Sequence, residues 1–206
     1  MIYGAKNIKW APITAEPVKA LPTYGEKITL GELNQVVDAP AFNEVRASGD
    51  DHTARYAAFF KEVPIDVTIL DMTNENAAAV TGATIENGDA RNLRFKTTDK
   101  APYGGLGFHV SELMEDNEVK HKGIFFPKAK AVMQGQTYDT KGETVVLQGK
   151  KLRFLGLAAK SEDWKIEAPY FDTEEEADAW VDQMLGGAAA AAAATTDEPA
   201  VSGDTE

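Results

Sequence analysis

Hydrophobic and polar residues alternate with a period of two along most of this chain, the mark of half-buried strands. Phe42, Glu44 and Arg46 alternate with Asn43, Val45 and Ala47. A turn-rich segment, Ser48-Gly49-Asp50-Asp51-His52, follows. Gly tolerates positive φ, and Asp side chains can bond nearby backbone N–H groups. Tyr56 to Phe60 is aromatic and strand-like. From Pro64 to Asp71, Ile65, Val67 and Ile69 share one face, and Asp66, Thr68 and Leu70 the other. The segment 43–82 therefore reads as strand, acidic loop, strand, strand and short helix. The helix runs from a cap at Thr73 or Asn74 through Val80 and is closed by Gly82.

The same pattern predicts further strands. Residues 1–26, with Pro12, Pro17 and Pro22, read as an extended N-terminal arm. Lys27–Leu33 and Val36-Val37 are short strands, and Asn87-Gly88-Asp89 is a turn. Leu93 and Phe95 belong to a strand. In the next, Leu106, Phe108 and Val110 oppose Gly107, His109 and Ser111. Met114–Asn117 turns the chain into Val119–Phe126. Lys128–Thr137, Thr144–Leu147 and Leu152–Ala158 complete the set, with a turn at Thr140-Lys141-Gly142. Short strands at regular spacing predict a mainly β protein, an antiparallel sandwich or barrel flanked by one or two helices.

The clearest helix is Thr173–Leu185. Asp172 or Thr173 caps it, and Glu174, Glu175 and Glu176 occupy the first turn, where the helix dipole favours them. Ala177, Trp180, Val181, Met184 and Leu185 make one apolar stripe. Gly186-Gly187 ends it. The domain thus spans 1–187. Residues 188–206, seven alanines and a polar acidic stretch broken by Pro199 and Gly203, read as a linker and disordered tail.

The net charge of −12 changes meaning once located. Residues 172–206 hold ten acids and no Lys or Arg, which leaves 23 acids against 21 bases in the first 171. The body is nearly balanced, and no basic stripe with interleaved aromatics points to specific nucleic-acid binding. There is no cysteine, so no disulfide framework and no thiolate chemistry. The N-terminus lacks the apolar run of a signal peptide, and no stretch approaches the ~20 apolar residues of a membrane helix. These features predict a soluble protein made and used inside the producing cell.

Candidate chemistry is sparse. His109 and His121 fall on partner strands, but a pair is short of the three or four ligands zinc needs. His52 beside Asp50 and Asp51 reads as a solvated loop tip. Pro102–Gly107 is glycine-rich but lacks the Lys-Ser/Thr and the strand-to-helix context of a phosphate loop. No Gly-x-Ser-x-Gly elbow is present. Asp163-Trp164 and Glu174–Glu176 supply carboxylates without partners for catalysis. No catalytic, cofactor or metal site is expected.

In order, these elements resemble the major tail tube proteins of long-tailed, non-contractile bacteriophages. The resemblance rests on Ile2-Tyr3-Gly4-Ala5-Lys6-Asn7-Ile8, Pro22-Thr23-Tyr24-Gly25 before Ile28-Thr29-Leu30, and Asn43–Asp50. It continues through Glu62–Ile69, the helix ending at Gly82, Gly104–Phe108, Gly123–Ala129 and Gly142-Glu143-Thr144. It covers about residues 1–171 and part of the last helix. It implies a virion protein, assembled in the host cytoplasm, whose hexameric rings stack into a hollow conduit for double-stranded DNA. The partners it implies are copies of itself, the tape measure, distal tail and tail terminator proteins, and DNA in transit, with no membrane. Loops and termini grip the next ring in that family, which makes the loop Arg46–Arg55 the candidate grip. Arg46, Asp50, Asp51 and Arg55, with Trp10 and Trp180, are the candidate inter-subunit contacts. A non-enzymatic ligand-binding β domain and a tube protein of a related secretion system are the competing readings.

Overall fold

The structure is a computed structural model. It describes residues 1–49, 52–86, 92–136, 138 and 149–186, with only the backbone for residues 47–49 and 52–55. The predicted turns at 87–89 and 140–142, the strand 144–147, and the segment 188–206 lie outside the described residues.

The fold is mainly β, as the alternation predicts, with a large antiparallel sheet and two helices. The strands are β1 (Ile2–Ala15), β2 (Thr23–Tyr24), β3 (Ile28–Gly31), β4 (Leu33–Asp38), β5 (Ala41–Gly49) and β6 (His52–Ile69). After α1 (Asn74–Thr81) come β7 (Thr84–Ile85), β8 (Leu93–Arg94), β9 (Tyr103–Leu113), β10 (Val119–Met133), β11 (Lys150–Gly156), β12 (Ile166–Glu167) and α2 (Glu174–Gly186). The main sheet runs β2-β1-β9-β10-β11-β6-β4, with β3 on β1, β12 on β10 and β5 on β6. β7 and β8 form a separate ribbon.

The inner face holds the main core. Ile8, Trp10, Leu106, Phe108, Phe126, Val63, Ile65, Val67, Ile69 and Phe154 are buried there, one from every second position of their strands. α1 closes this core with Ala77 and Val80. Its ends follow the sequence: Thr73 Oγ1 accepts from Asn76 N, and Gly82 takes φ 74° at the C-cap, where a side chain would be strained.

The outer face of β1, β9 and β10 carries α2. Val181, Met184 and Leu185 pack there on Ala11 and Phe125 as a second, smaller core. The sheet makes room for the helix by omitting side chains. A Cβ added at Gly105 would meet Tyr24 and Leu185, one at Gly107 would meet Val181, and one at Gly123 would meet Trp180. The glycine-rich stretch before Phe108 is thus a helix seat.

Several predicted boundaries are corrected. The extended segment 1–26 is not an arm: its residues 2–15 form β1, inside the sheet, paired with β9 on one side and β3 on the other. Ile8 and Trp10 hold it there by pointing into the core, and positive φ at Gly4 (62°) and Asn7 (51°) marks two irregularities in its pairing. The two strands drawn around Pro64 are one 18-residue strand, β6. Pro64 is tolerated because it falls where the neighbour changes from β5 to β4 and β11. Likewise Val119–Phe126 and the first part of Lys128–Thr137 merge into β10, which ends at Met133, with Pro127 absorbed at a register shift. Lys27–Leu33 instead divides at Gly31, whose φ of 138° turns the chain from β3 into β4.

Candidate functional site

β5 and the first half of β6 leave the body together. From His52 to Glu62, β6 pairs only with β5 among the described residues, and β5 pairs only with β6. Among the described residues the result is a two-stranded arm with both outer edges open. An isolated hairpin is marginally stable in water, so the arm depends on its root and on what it meets.

The register divides the arm into two faces. Phe42 opposes Phe60, Glu44 opposes Ala58, and Arg46 opposes Tyr56. These residues share a face because directly paired positions point the same way. At the root of this face, Phe60 stacks on Trp164 with ring centroids 4.8 Å apart, and Phe42 meets Phe60 edge-on at 6.0 Å. Farther out, Arg46 donates to Glu44 Oε2 at 2.6 Å and lies 5.6 Å from the Tyr56 ring. Arg46, then Tyr56, hold the Glu44 carboxyl below its ordinary range by hydrogen bonding. The opposite face presents Asn43 with Phe59 and Val45 with Ala57. Phe59 is 60% exposed and Val45 57%.

Arg46 sits on the arm, as expected, but its guanidinium is engaged by Glu44 within β5. Asp50 and Asp51 lie outside the described residues. Arg55 pairs by backbone with Ala47, and its side chain is not described. Trp10 is 2% exposed and packs inside the main core, so its ring is committed within the subunit. Trp180 is half-buried on α2, over Gly123. Sequence reasoning passed over Phe59 and Val45. The available signal was that Tyr56, Phe59 and Phe60 place aromatics on both faces of one strand, more than a one-sided core can absorb.

Three of the four lysines of β10 are ion-paired locally. Lys120 bonds Asp172 and lies near Glu118, Lys122 bonds Glu167, and Lys128 bonds Glu16 at 2.9 Å. Lys130 lies 5.1 Å from the Tyr103 ring. Between the N-terminal half of β1 and β4 the curved sheet leaves a cleft of about 660 Å³. Phe108, Val110 and Ile124 line it, together with Lys122, Lys165, Glu167 and Tyr170. These polar groups bond one another or near neighbours: Lys165 reaches Asp38 at 2.9 Å and Glu167 at 3.0 Å, and Tyr170 donates to Glu112 at 2.8 Å. Among the described residues no group of three or more His, Asp or Glu is arranged to hold a metal ion, and no helix is long and apolar enough to cross a membrane.

The chain matches no protein-family model and no curated protein.

Proposed function

We propose that this protein is a structural subunit that assembles with copies of itself into stacked hexameric rings, a phage tail tube through which double-stranded DNA passes. The observation that carries this reading is the β5–β6 arm, which leaves Val45 and Phe59 more than half exposed together on one face of the ribbon. Contiguous exposed apolar surface marks an interaction site. Burying Phe59 or Val45 against a neighbour would contribute roughly 1.5–3 kcal/mol each, whereas an exposed ion pair at the arm tip contributes about 0–1 kcal/mol. The apolar face, more than the charged tip, therefore drives the contact.

Two further observations support assembly. Among the described residues the outer edges of β4 and β5 pair with no further strand, and a neighbouring subunit would satisfy their backbone groups. Lys120, Lys122 and Lys128 of β10 are paired with acids, so they offer little free positive charge to retard DNA. The virion tail is the location this reading assigns. A tube of a secretion system would use the same subunit contacts.

The cleft between β1 and β4 favours a second reading, a small-molecule-binding β domain, since about 660 Å³ is within the size of such sites. Sedimentation velocity across protein concentration separates the two. Assembly predicts growth from subunit to ring, weakened by Phe59→Ser on the arm, whereas deletion of residues 49–53 leaves a folded subunit whose rings stack poorly. A monomer at every concentration contradicts it and favours the cleft.

A further inference from the structure

Two surfaces of one subunit fit each other but cannot meet within it. The first is the cleft between β1 and β4. Phe108, Val110 and Ile124 give it an apolar floor, and at its mouth Ile2 is 66% and Tyr3 50% exposed. Its charged groups are spent on one another: Lys122 bonds Glu167, Lys165 bonds Asp38 and Glu167, and Tyr170 donates to Glu112. A small-molecule site keeps a few convergent polar groups for its ligand, whereas a charged occupant here has to break existing pairs. The cleft therefore suits an uncharged, apolar insert.

The second surface is the arm face formed by Asn43, Val45, Ala57 and Phe59. Their register places the four side by side, and none is charged. The charged pair of the arm, Glu44 and Arg46, lies on the opposite face and is closed on itself. That opposite face also turns to the subunit's own body, because Phe60 stacks on Trp164. Lys165, the residue after Trp164, lines the subunit's own cleft. Val45 and Phe59 consequently face away from the cleft of their own chain and can enter only that of another.

We propose, resting on the assembly reading, that the cleft between β1 and β4 receives the Val45 and Phe59 face of the arm from a second copy of this chain. Such a contact is head-to-tail. Each subunit gives an arm through one surface and takes one through another, so the contacts run on until they close a ring or continue as a stack. Val45 and Phe59 lose their exposed surface against the floor and against Ile2 and Tyr3, and no unpaired charge is buried.

The chain has no cysteine, so single thiols can be introduced cleanly. Full-length Val45→Cys subunits are mixed with subunits carrying a thiol on one wall of the cleft, Tyr3→Cys on β1 or Asn34→Cys on β4. The mixture is assembled and treated with a short bis-maleimide, and a size tag on one partner marks the mixed product. All three positions are exposed, so the substitutions leave the subunit folded. Val132→Cys, 48% exposed on the outer face of β10, is the control. Both walls should link to Val45→Cys, and Val132→Cys should not. Adding Phe59→Ser to the arm subunit should cut the mixed product about tenfold, in step with its effect on assembly. Light scattering reports assembly in the same samples. Assembly in which either wall fails to link, Val132→Cys links equally well, or Phe59→Ser leaves the yield unchanged means that something else fills the cleft; it overturns the proposal and leaves the assembly reading intact. Subunits that stay monomeric and unlinked contradict both.

Discussion

Phe60 and Trp164 stack face to face, their centroids 4.8 Å apart and their planes 13° from parallel, at the point where the β5–β6 arm leaves the body. Phe60 belongs to the strand and Trp164 to the loop before β12. The pair ties the arm's root to the sheet and sets the direction in which Phe59, the next residue, faces away. Trp164→Ala should cost about 2 kcal/mol, of which ~1 is the aromatic pairing itself. Exchange should accelerate first in residues 52–62, and chemical denaturation with hydrogen exchange reads both.

Phe59→Ser tests the outer face of the arm. The side chain is 60% exposed and packs on nothing in the core, so subunit stability should change by less than about 0.5 kcal/mol. Assembly, followed by light scattering, should weaken at least tenfold in critical concentration, the equivalent of about 1.4 kcal/mol per contact. Equal loss of stability and assembly would mean that Phe59 serves the fold instead.

Gly123 and Trp180 make a steric pair across the helix seat. Gly123→Ala should destabilise the protein by about 1–3 kcal/mol through overpacking. In a Trp180→Ala background the same change should cost much less, because the obstructing ring is gone. The coupling in this double-mutant cycle, measured by denaturant unfolding, is the diagnostic quantity.

Acid should unfold the protein through its paired carboxylates. The Asp66 carboxyl is held below its ordinary range by Arg153, that of Glu174 by Lys6, and that of Glu167 by Lys122 and Lys165. A depressed carboxyl binds protons more weakly when folded. Its contribution is therefore present above the unfolded value, about pH 4, and is lost as pH falls through the folded value. Lys9 behaves in the opposite sense: Asp178 and Asp182 hold it above 10.5 against its burial. Its contribution is complete below 10.5 and is lost only as pH rises through the folded value. Lys9→Met should cost about 2 kcal/mol at neutral pH by stranding the Asp178 carboxylate, since Asp182 keeps Lys27. Thermal melts across pH check both.

A chain ending at Gly186 should fold and assemble as the full chain does. The apolar stripe of α2 is complete at Leu185, and residues 188–206 supply no apolar side chain larger than Val201. Failure of the shortened chain to assemble would assign that segment a structural part.

Much of the fold was legible because one-sided burial writes a period of two into the chain, as at Ile65, Val67 and Ile69, and because Thr73 and Gly82 are chemically specific caps. Strand continuity was not legible. Pro64 and Pro127 look like breaks, yet each falls where pairing partners change, and that depends on tertiary neighbours alone. That the glycines at 105, 107 and 123 seat a helix was not legible, because the helix that fills the space above them lies more than fifty residues away in sequence. The arm's charged tip drew notice as a contact, whereas Phe59 and Val45 passed as ordinary strand residues. Exposure of an apolar side chain is decided by which strands end early, and no local pattern encodes that.

Electron microscopy of the purified full-length protein, negatively stained across a concentration series, tests the central claim most directly. The account predicts rings with sixfold symmetry and a central channel, stacking into tubes at high concentration. Uniform single subunits at every concentration, with sedimentation confirming a monomer, would contradict it.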